Sequence, residues 1–266
     1  MSIDYTDLLK KTRALLRYHG DSGIESYPDS EKVDSFLQCK FTHIETSGLH
    51  EKNVGRPANI ESQAKQDSDI LKVQHGTIDE IAEEVGICTS CDLHKTRVLP
   101  VSGGGGSKAK LFIVGGWLIT DAGRDVNAGE SAVFGEEEDM MVERMLKAMQ
   151  LSREESFISN VIKCGIGANV QPKAANIDAC LSYLHRQIAA VSPKIICTMG
   201  LVATRSLLEK SQPLSQLRGR FHTFKLNKDT HIPLMPTYHP SFLLQNPEMK
   251  QATWNDLQMI QKALKN

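Results

Sequence analysis

The sequence has no unbroken apolar run of about 18 residues, the length that a membrane-spanning helix requires. Residues 1–20 also lack the basic stretch, apolar stretch and small-residue cleavage site that mark a secretory signal peptide. These two absences predict a soluble, cytoplasmic protein that does not bind membranes. No internal repeat is present either, which excludes the solenoid and propeller classes.

Neither sign of charge is in excess over the whole chain, which has 31 basic and 32 acidic residues. Overall charge therefore gives no reason to expect a polyanion as partner. The distribution is uneven, however, because residues 160–266 contain 13 of the basic residues and only 5 of the acidic ones. This local excess favours a phosphate-binding face in the second half of the chain, with an ordinary solvated surface as the alternative.

Cysteines are few, six in 266 residues, and a cytoplasmic protein of this size is not expected to use them in disulfides. Four of them form two pairs, Cys88 with Cys91 and, 72 residues later, Cys164 with Cys180. Four thiols suit either tetrahedral zinc or a [4Fe–4S] cluster. The two pairs differ in spacing, whereas zinc ribbons normally have two matching pairs, so the pattern favours the cluster. The alternative is that the four cysteines are buried at unrelated places and bind no common centre.

Composition divides the chain into three parts. Leucines at helical spacing predict an N-terminal helical arm over residues 1–40, and a polar, aperiodic stretch predicts a linker or mobile loop over 41–75. Over residues 76–266, short apolar strands alternate with helices, which predicts an α/β domain with a mostly parallel sheet between two layers of helices. Residues 222–226 are expected to form an edge strand, and the four glycines at 103–106 a flexible segment.

One histidine is predicted to lie at the chemical centre of this domain. Residues 232–235 form an apolar strand that must stop at Pro236, which has no backbone N–H for a sheet. His239 follows on stiff backbone, between Pro236 and Pro240. The carboxyl end of a strand is where open α/β sheets bind their ligands, so His239 is a candidate catalytic residue. A helix-capping or core histidine is the alternative for this segment alone.

Several segments together resemble the family 4 uracil-DNA glycosylases, the iron–sulfur members of the uracil-DNA glycosylase superfamily. The resemblance covers about residues 77–266, and its segments occur in the family's order. They are Cys88-x2-Cys91 with Arg97 behind it, residues 160–164 (Asn-Val-Ile-Lys-Cys), the helical stretch from Cys180 to Gln187, residues 193–196 (Pro-Lys-Ile-Ile), residues 217–222 (Leu-Arg-Gly-Arg-Phe-His) and residues 238–244 (Tyr-His-Pro-Ser-Phe-Leu-Leu).

The resemblance implies a four-stranded parallel sheet between helices, a DNA-binding cleft at the strand ends and a [4Fe–4S] cluster on the four paired cysteines. It implies that His239 hydrogen-bonds the departing base, that Asn169 reads the base edge and that an aromatic residue stacks on the flipped base. The implied DNA contacts, to phosphates and to the gap left by the flipped base, are Lys163, Arg218, Arg220, Ser241, Phe242 and Leu243.

The sequence departs from the family at the base pocket. The carboxylate that handles the attacking water is replaced by Gly116, and a bulky Trp117 follows it. The stacking aromatic is displaced by one position, so that Val133 aligns with it and Phe134 lies next to it. Three interpretations are open. Asp121, Asp125 or Glu130 supplies the carboxylate, His239 acts with a water held by backbone, or the protein binds DNA without cleaving the bond.

These departures lead to three functional hypotheses for a monomer that acts on DNA. The first is a DNA glycosylase whose remodelled pocket accepts a modified pyrimidine larger than uracil, such as a hypermodified phage base, which would make it a defence enzyme. The second is a slow uracil-DNA glycosylase of base excision repair. The third is a non-catalytic module that senses lesions, which the retention of His239 and Asn169 disfavours because a pure binder needs neither.

Overall fold

The computed structural model describes residues 76–120 and 132–265. The predicted helical arm (1–40) and the predicted linker (41–75) lie outside these ranges, and so do the candidate carboxylates Asp121 and Asp125. Within the described part of the chain, no helix is both long and apolar enough to cross a membrane.

The strands in chain order are β1 (Leu99–Pro100), β2 (Gly104–Gly105), β3 (Leu111–Gly115), β4 (Ile119–Thr120), β5 (Ser156–Asn160), β6 (Cys164–Gly167), β7 (Ile195–Met199), β8 (His222–Lys225) and β9 (His231–Thr237). Six of them form the main sheet, in the order β2-β5-β3-β7-β9-β8. The middle four run parallel, whereas β2 and β8 pair antiparallel at the two edges. The implied count of four strands is therefore wrong, because the sheet is mixed and has six.

The helices are α1 (Ile78–Gly86), α2 (Glu136–Ala148), α3 (Ala174–Val191), α4 (Leu201–Leu208), α5 (Leu214–Leu217), α6 (Pro240–Gln245) and α7 (Lys250–Lys265), with short 3-10 turns at Asp92–Lys95 and Pro247–Met249. They cover both faces of the sheet. Alternate residues of β3 point to opposite faces, so that Ile113 packs with residues of α2 and α7 while Phe112 packs with residues of α3 and α4. Burial on both faces explains why the middle strands are almost uniformly apolar.

A second, small sheet lies beside the first and was not expected from the sequence. Its order is β1-β6-β4, with β1 antiparallel and β4 parallel to β6. Cys164 is the first residue of β6, and Leu118, just before β4, accepts the backbone N–H of Ile166. The small sheet therefore joins a cysteine of the second pair to the chain that follows Gly116.

The glycine run at 103–106 is not a flexible segment, because its backbone packs closely against a neighbouring stretch of backbone. Its two central residues form β2, which pairs with β5. A Cβ atom on Gly105 would overlap the carbonyl oxygen of Ser156, and one on Gly106 would overlap that of Glu154. Glycine is needed here because no side chain fits between the two backbones.

A buried ion pair fixes the end of β9 against α7. Asp256 is 1% exposed and accepts hydrogen bonds from the hydroxyl of Thr237 (2.7 Å) and from Nε of Arg218 (3.0 Å). The same guanidinium donates to the carbonyl of Ala252 and lies 5.2 Å from the ring centroid of Tyr238. Arg218 thus holds the segment that leads into His239. Its expected phosphate contact stays a prediction, and one that competes with this pair.

Replacing Gly106 with alanine should lower the free energy of unfolding by about 2 kcal/mol, because the added methyl group forces the two backbones apart. Gly86→Ala is the matched control, since a Cβ there meets no described atom within 4 Å and alanine favours a helix. Urea titration of both variants measures the difference. Equal stability of the two variants would show that the 103–106 segment is not constrained as described.

Removal of the Arg218 side chain should leave Asp256 buried without its cationic partner. Loss of one partner of a buried pair costs about 3–5 kcal/mol, and the partial exposure of Arg218 puts Arg218→Met near the lower end. Arg220→Met should stay within about 0.5 kcal/mol, since Arg220 is exposed and, among the residues that the structure describes, donates only to the carbonyl of Gln216. Thermal unfolding of both variants tests this, and the same loss in each would contradict a structural role for Arg218.

Candidate active site and cysteine centre

His239 lies directly after β9 and caps the N-terminus of α6. Its Nδ1 accepts the backbone N–H of Ser241 (3.2 Å) and lies 2.8 Å from the hydroxyl of the same residue. An Nδ1 that accepts a backbone N–H has no proton, so the ring proton is on Nε2. The capping role and the catalytic candidacy, which the sequence presented as alternatives, therefore belong to the same imidazole.

Burial lowers the pKa of His239 to about 4. The imidazole is consequently neutral at pH 7, and its Nε2–H is a hydrogen-bond donor that carries no formal charge. Ser241, which was expected to contact DNA, is bound to Nδ1 and so orients the ring. Its hydroxyl and its backbone N–H together fix which nitrogen faces away from the helix.

Val133 aligns with the stacking aromatic of the family, but the ring that lies next to His239 is that of Phe134. The ring centroids of Phe134 and His239 lie 5.1 Å apart at an interplanar angle of 51°. The side chain of Asp139 accepts the backbone N–H groups of Val133 (2.8 Å) and Phe134 (3.2 Å), and Nδ2 of Asn160 donates to the carbonyl of Val133. The displaced aromatic residue is thus held beside the histidine by two side chains that the sequence did not single out.

Gly116 follows β3 and has space beside it. Apart from its chain neighbours, the only described atom within 4 Å of a Cβ placed there is Cβ of Val202, at 3.7 Å. Trp117 packs with Leu93 and the other apolar residues around Cys164 and Cys180. The large side chain that accompanies the glycine therefore contacts the cysteine centre.

Asn169 lies in the turn that follows β6. Its side chain is exposed and makes no hydrogen bond to the residues that the structure describes. Its amide is therefore free of competing partners in that part of the protein. A role in reading the base edge remains a prediction.

Two of the expected DNA contacts are in the interior, and those expectations are wrong. Leu243 is fully buried and packs with Leu201 and Tyr238, because the inner face of α6 points to the core. Lys163 is 2% exposed, and its ammonium points inward rather than to a phosphate. Phe242 is half-buried, with its ring tilted against that of Tyr238 (centroids 4.9 Å apart), and Arg220 is exposed. These two remain candidates for the DNA face.

The four paired cysteines approach each other from three separate elements. Cys88 and Cys91 lie between α1 and the first 3-10 turn, Cys164 begins β6 and Cys180 is in α3. All four are free thiols. Burial raises the pKa of Cys164, and the Cys91 and Cys88 thiolates raise it further, whereas Arg97 lowers it. Burial likewise raises the pKa of Cys180 to about 11, with the neighbouring thiolates acting in the same direction.

The four free thiols form a donor set of the kind that holds an iron–sulfur cluster. These cysteines form no disulfide, and their thiolate forms repel one another. Such a donor set suits a four-iron core.

Arg97 closes the loop that carries the first cysteine pair. Its guanidinium donates to the carbonyls of Val85 (3.3 Å), Gly86 (2.6 Å) and Cys88 (3.2 Å). The sequence pattern contained Arg97 but gave it no role. Its position nine residues after Cys88 was the available signal, because an arginine at that distance can reach back to the carbonyls at the end of α1.

Groups outside the ligand set also form hydrogen bonds with the sulfur atoms, and the Cys88 thiol donates to the hydroxyl of Ser90 (3.4 Å). Burial would raise the pKa of Cys88, but hydrogen bonds with Ser90 and Tyr183 outweigh it and lower the pKa. The backbone N–H of Lys163 donates to Cys180. Donors of this kind orient thiolate ligands and stabilise their charge.

Comparison with known proteins agrees with this geometry. Residues 103–258 match the family described as the uracil DNA glycosylase superfamily. A type-4 uracil-DNA glycosylase of Saccharolobus solfataricus is 32% identical over 191 residues, which are 70% of this chain and 86% of the relative. Proteins with the same description from Archaeoglobus fulgidus (28% identical, 69% of this chain, 92% of the relative) and Thermotoga maritima (27%, 70% and 93%) are also similar.

The family match spans more than half of the chain and includes β9, His239 and Asp256. The first of these relatives extends the similarity over two thirds of the chain. The resemblance seen in the scattered sequence segments is thereby confirmed, and the protein belongs to the uracil-DNA glycosylase superfamily.

Proposed function

We propose that this protein is a DNA glycosylase that flips a nucleotide out of the helix and cleaves the bond between its base and its sugar. The observation that carries this function is the neutral imidazole of His239, with its proton on Nε2, at the carboxyl edge of the sheet. A residue held in one tautomer beside an aromatic ring is arranged for a flipped base. The names of the relatives support the same reaction class.

The reaction moves charge toward the base. When the bond between the sugar C1′ and the base nitrogen breaks, its electron pair leaves with the base, and negative charge develops on the pyrimidine O2. The Nε2–H of His239 donates to that oxygen as the charge grows and keeps its proton. Water then adds its hydroxyl group to C1′, and its proton goes to the released base. A donor that is already in place stabilises the transition state without reorganisation.

Neighbouring residues hold and recognise the base. Phe134 lies against His239 and offers an aromatic face for stacking. Asn169 presents both a donor and an acceptor to a base edge, and Phe242 is the apolar group at the start of α6 that can enter the gap in the DNA stack. Arg220 is the exposed cation for phosphate contact.

We assign water activation to a carboxylate in the residues that follow β4. Asp139 is the described carboxylate that hydrogen-bonds to Val133 and Phe134, but it accepts their backbone N–H groups and so positions that segment rather than a water. Asp121 and Asp125 are therefore our candidates for the general base. Loss of a general base typically lowers a rate by about 10²–10⁴, so a glycosylase that lacked one would be slow rather than inactive.

The four cysteines Cys88, Cys91, Cys164 and Cys180 would hold a [4Fe–4S] cluster. When bound, the cluster supplies four covalent ties among three elements that are distant in sequence. Its ligands would then join α3 to the start of β6 and both to the loop after α1. The cluster thereby supports the base pocket, since Trp117 packs against its ligands next to Gly116.

The substrate that we propose is a pyrimidine larger than uracil, such as a hypermodified base of phage DNA, and the corresponding role is defence. The space beside Gly116 supports this, because a carboxylate side chain there would occupy the room that a bulky substituent needs. Slow excision of uracil in base excision repair is the second candidate, and the description of the relatives as uracil-DNA glycosylases favours it.

His239→Ala should reduce the rate of base release by about 10²–10³, the usual effect of removing one donor to a developing anion. DNA affinity should change only a few-fold, because the interaction appears only in the transition state. Single-turnover assays of free base, with Kd for the same DNA measured separately, give the two quantities. His239→Asn is the matched control, since asparagine also caps a helix but places no donor at the Nε2 position.

The pH profile gives a second test of the same residue. Base release by the unaltered protein should be constant from about pH 5.5 to 8, because the pKa of His239 is about 4. Protonation of Nδ1 would set two donors against each other, Nδ1–H and the N–H of Ser241. A histidine with an ordinary pKa near 6.5 would instead lose about tenfold between pH 7.5 and 5.5. That loss, or full activity in His239→Ala, would overturn the proposed role.

Gly116→Glu should separate the two candidate substrates, with Gly116→Gln as a control of the same size without charge. If the space beside Gly116 admits a bulky base, both variants should lose at least tenfold of the activity on hypermodified DNA. If the protein excises uracil slowly for want of a carboxylate, Gly116→Glu alone should raise uracil release. Free base and abasic sites are measured on uracil-containing, unmodified and hypermodified DNA. Rapid uracil excision by the unaltered protein would contradict the first candidate.

A further inference from the structure

Lys163 carries a buried ammonium whose partners are all neutral. The side chain is 2% exposed, and Nζ donates to the hydroxyl of Ser159 (2.7 Å), the carbonyl of Asn160 (2.7 Å) and Oε1 of Gln187 (2.6 Å). None of the described acidic residues comes within ion-pair distance of it. Three neutral acceptors satisfy its hydrogen bonds and leave its charge uncompensated.

An isolated buried charge is costly, and a buried amine loses its proton unless a negative group lies nearby. Lys163 precedes the ligand Cys164 in the chain, and its backbone N–H donates to the sulfur of Cys180. The cysteine centre is therefore the neighbouring group that can carry negative charge. Four thiolates outweigh the positive charge of a [4Fe–4S] core, so that a loaded centre is anionic.

We propose that the Lys163 ammonium is the internal counter-charge of the iron–sulfur cluster, held in place by Ser159 and Gln187. The proposal rests on the cluster of the proposed function. Lys163 acts on the cluster by charge, whereas its backbone N–H acts on one sulfur by a hydrogen bond.

The surroundings of Lys163 fit this role because they fix the charge without neutralising it. Gln187 is itself oriented, since its Nε2 donates to the carbonyl of Ser102 while its Oε1 accepts from both Ser159 and Lys163. A carboxylate at position 187 would pair with the ammonium and remove its field. The amide holds the ammonium and leaves its charge available to the cluster, where low local polarity strengthens the interaction.

The charge should favour the reduced form of the cluster, which is the more negative of the two. Lys163→Met should therefore lower the ratio of reduced to oxidised cluster at least tenfold at a fixed potential, a shift of about 59 mV for one electron. Iron release to a chelator should be at least tenfold faster. Spectroelectrochemical titration and chelator assays of the iron-loaded protein measure both. Lys110→Met is the matched control, since Lys110 is an exposed lysine that pairs with Glu155.

Gln187→Leu distinguishes the charge from the hydrogen-bond network. This variant keeps the ammonium but removes one of its acceptors, so the ratio of reduced to oxidised cluster should stay within about twofold of the parent. A shift equal to that of Lys163→Met would show that the network, not the charge, is responsible. An unchanged ratio and unchanged iron release in Lys163→Met would overturn the proposal directly.

Lys163→Gln is the second neutral variant if Lys163→Met does not accumulate, because its amide can still donate to the same acceptors. If neither neutral variant retains iron, retention by Lys163→Arg supports the role of charge, and loss of iron from Lys163→Arg overturns it. The parent protein reports on the proposed function separately. Zinc in place of iron, or the absence of base release, would remove that function whatever the Lys163 variants do.

Discussion

The Asp256 carboxylate connects the parts of the protein on which the active site depends. It accepts hydrogen bonds from Thr237 at the end of β9 and from Arg218, and it belongs to the C-terminal helix. His239 lies two residues after Thr237, and the next helix begins at Pro240. A carboxylate buried to this extent is tolerated only because its acceptor sites are occupied. The position of His239 is therefore set by the far end of the chain as much as by its own strand.

The base pocket combines rigid and open elements. The loop that carries Phe134 is held by Asp139 and Asn160, and the imidazole is held by Ser241, so neither ring needs to reorganise when a base enters. Gly116, in contrast, has no described side chain against it other than Val202. Under the proposed function, rigid groups beside that space would allow the accepted base to change in size while the chemistry stays the same.

The sequence predicted the elements whose signal is local. The apolar strands, the edge strand β8 and the position of His239 after a strand follow from periodicity and from the prolines around it. It did not predict whether individual side chains point to the core or to the surface. Leu243 and Lys163 occur in segments of the right kind, but a sequence does not tell which side of a short helix or strand end points to the core. The strand β2 was missed because two glycines provide no alternation, and the small sheet because its strands are two to four residues long.

The spacing of the cysteines has a consequence for how the protein is made. Cys88 and Cys91 leave the ribosome well before Cys164 and Cys180, which follow 72 or more residues later, and all four are needed before the centre is complete. The proposed cluster can therefore be completed only after α3, the helix with the last ligand, has been synthesised.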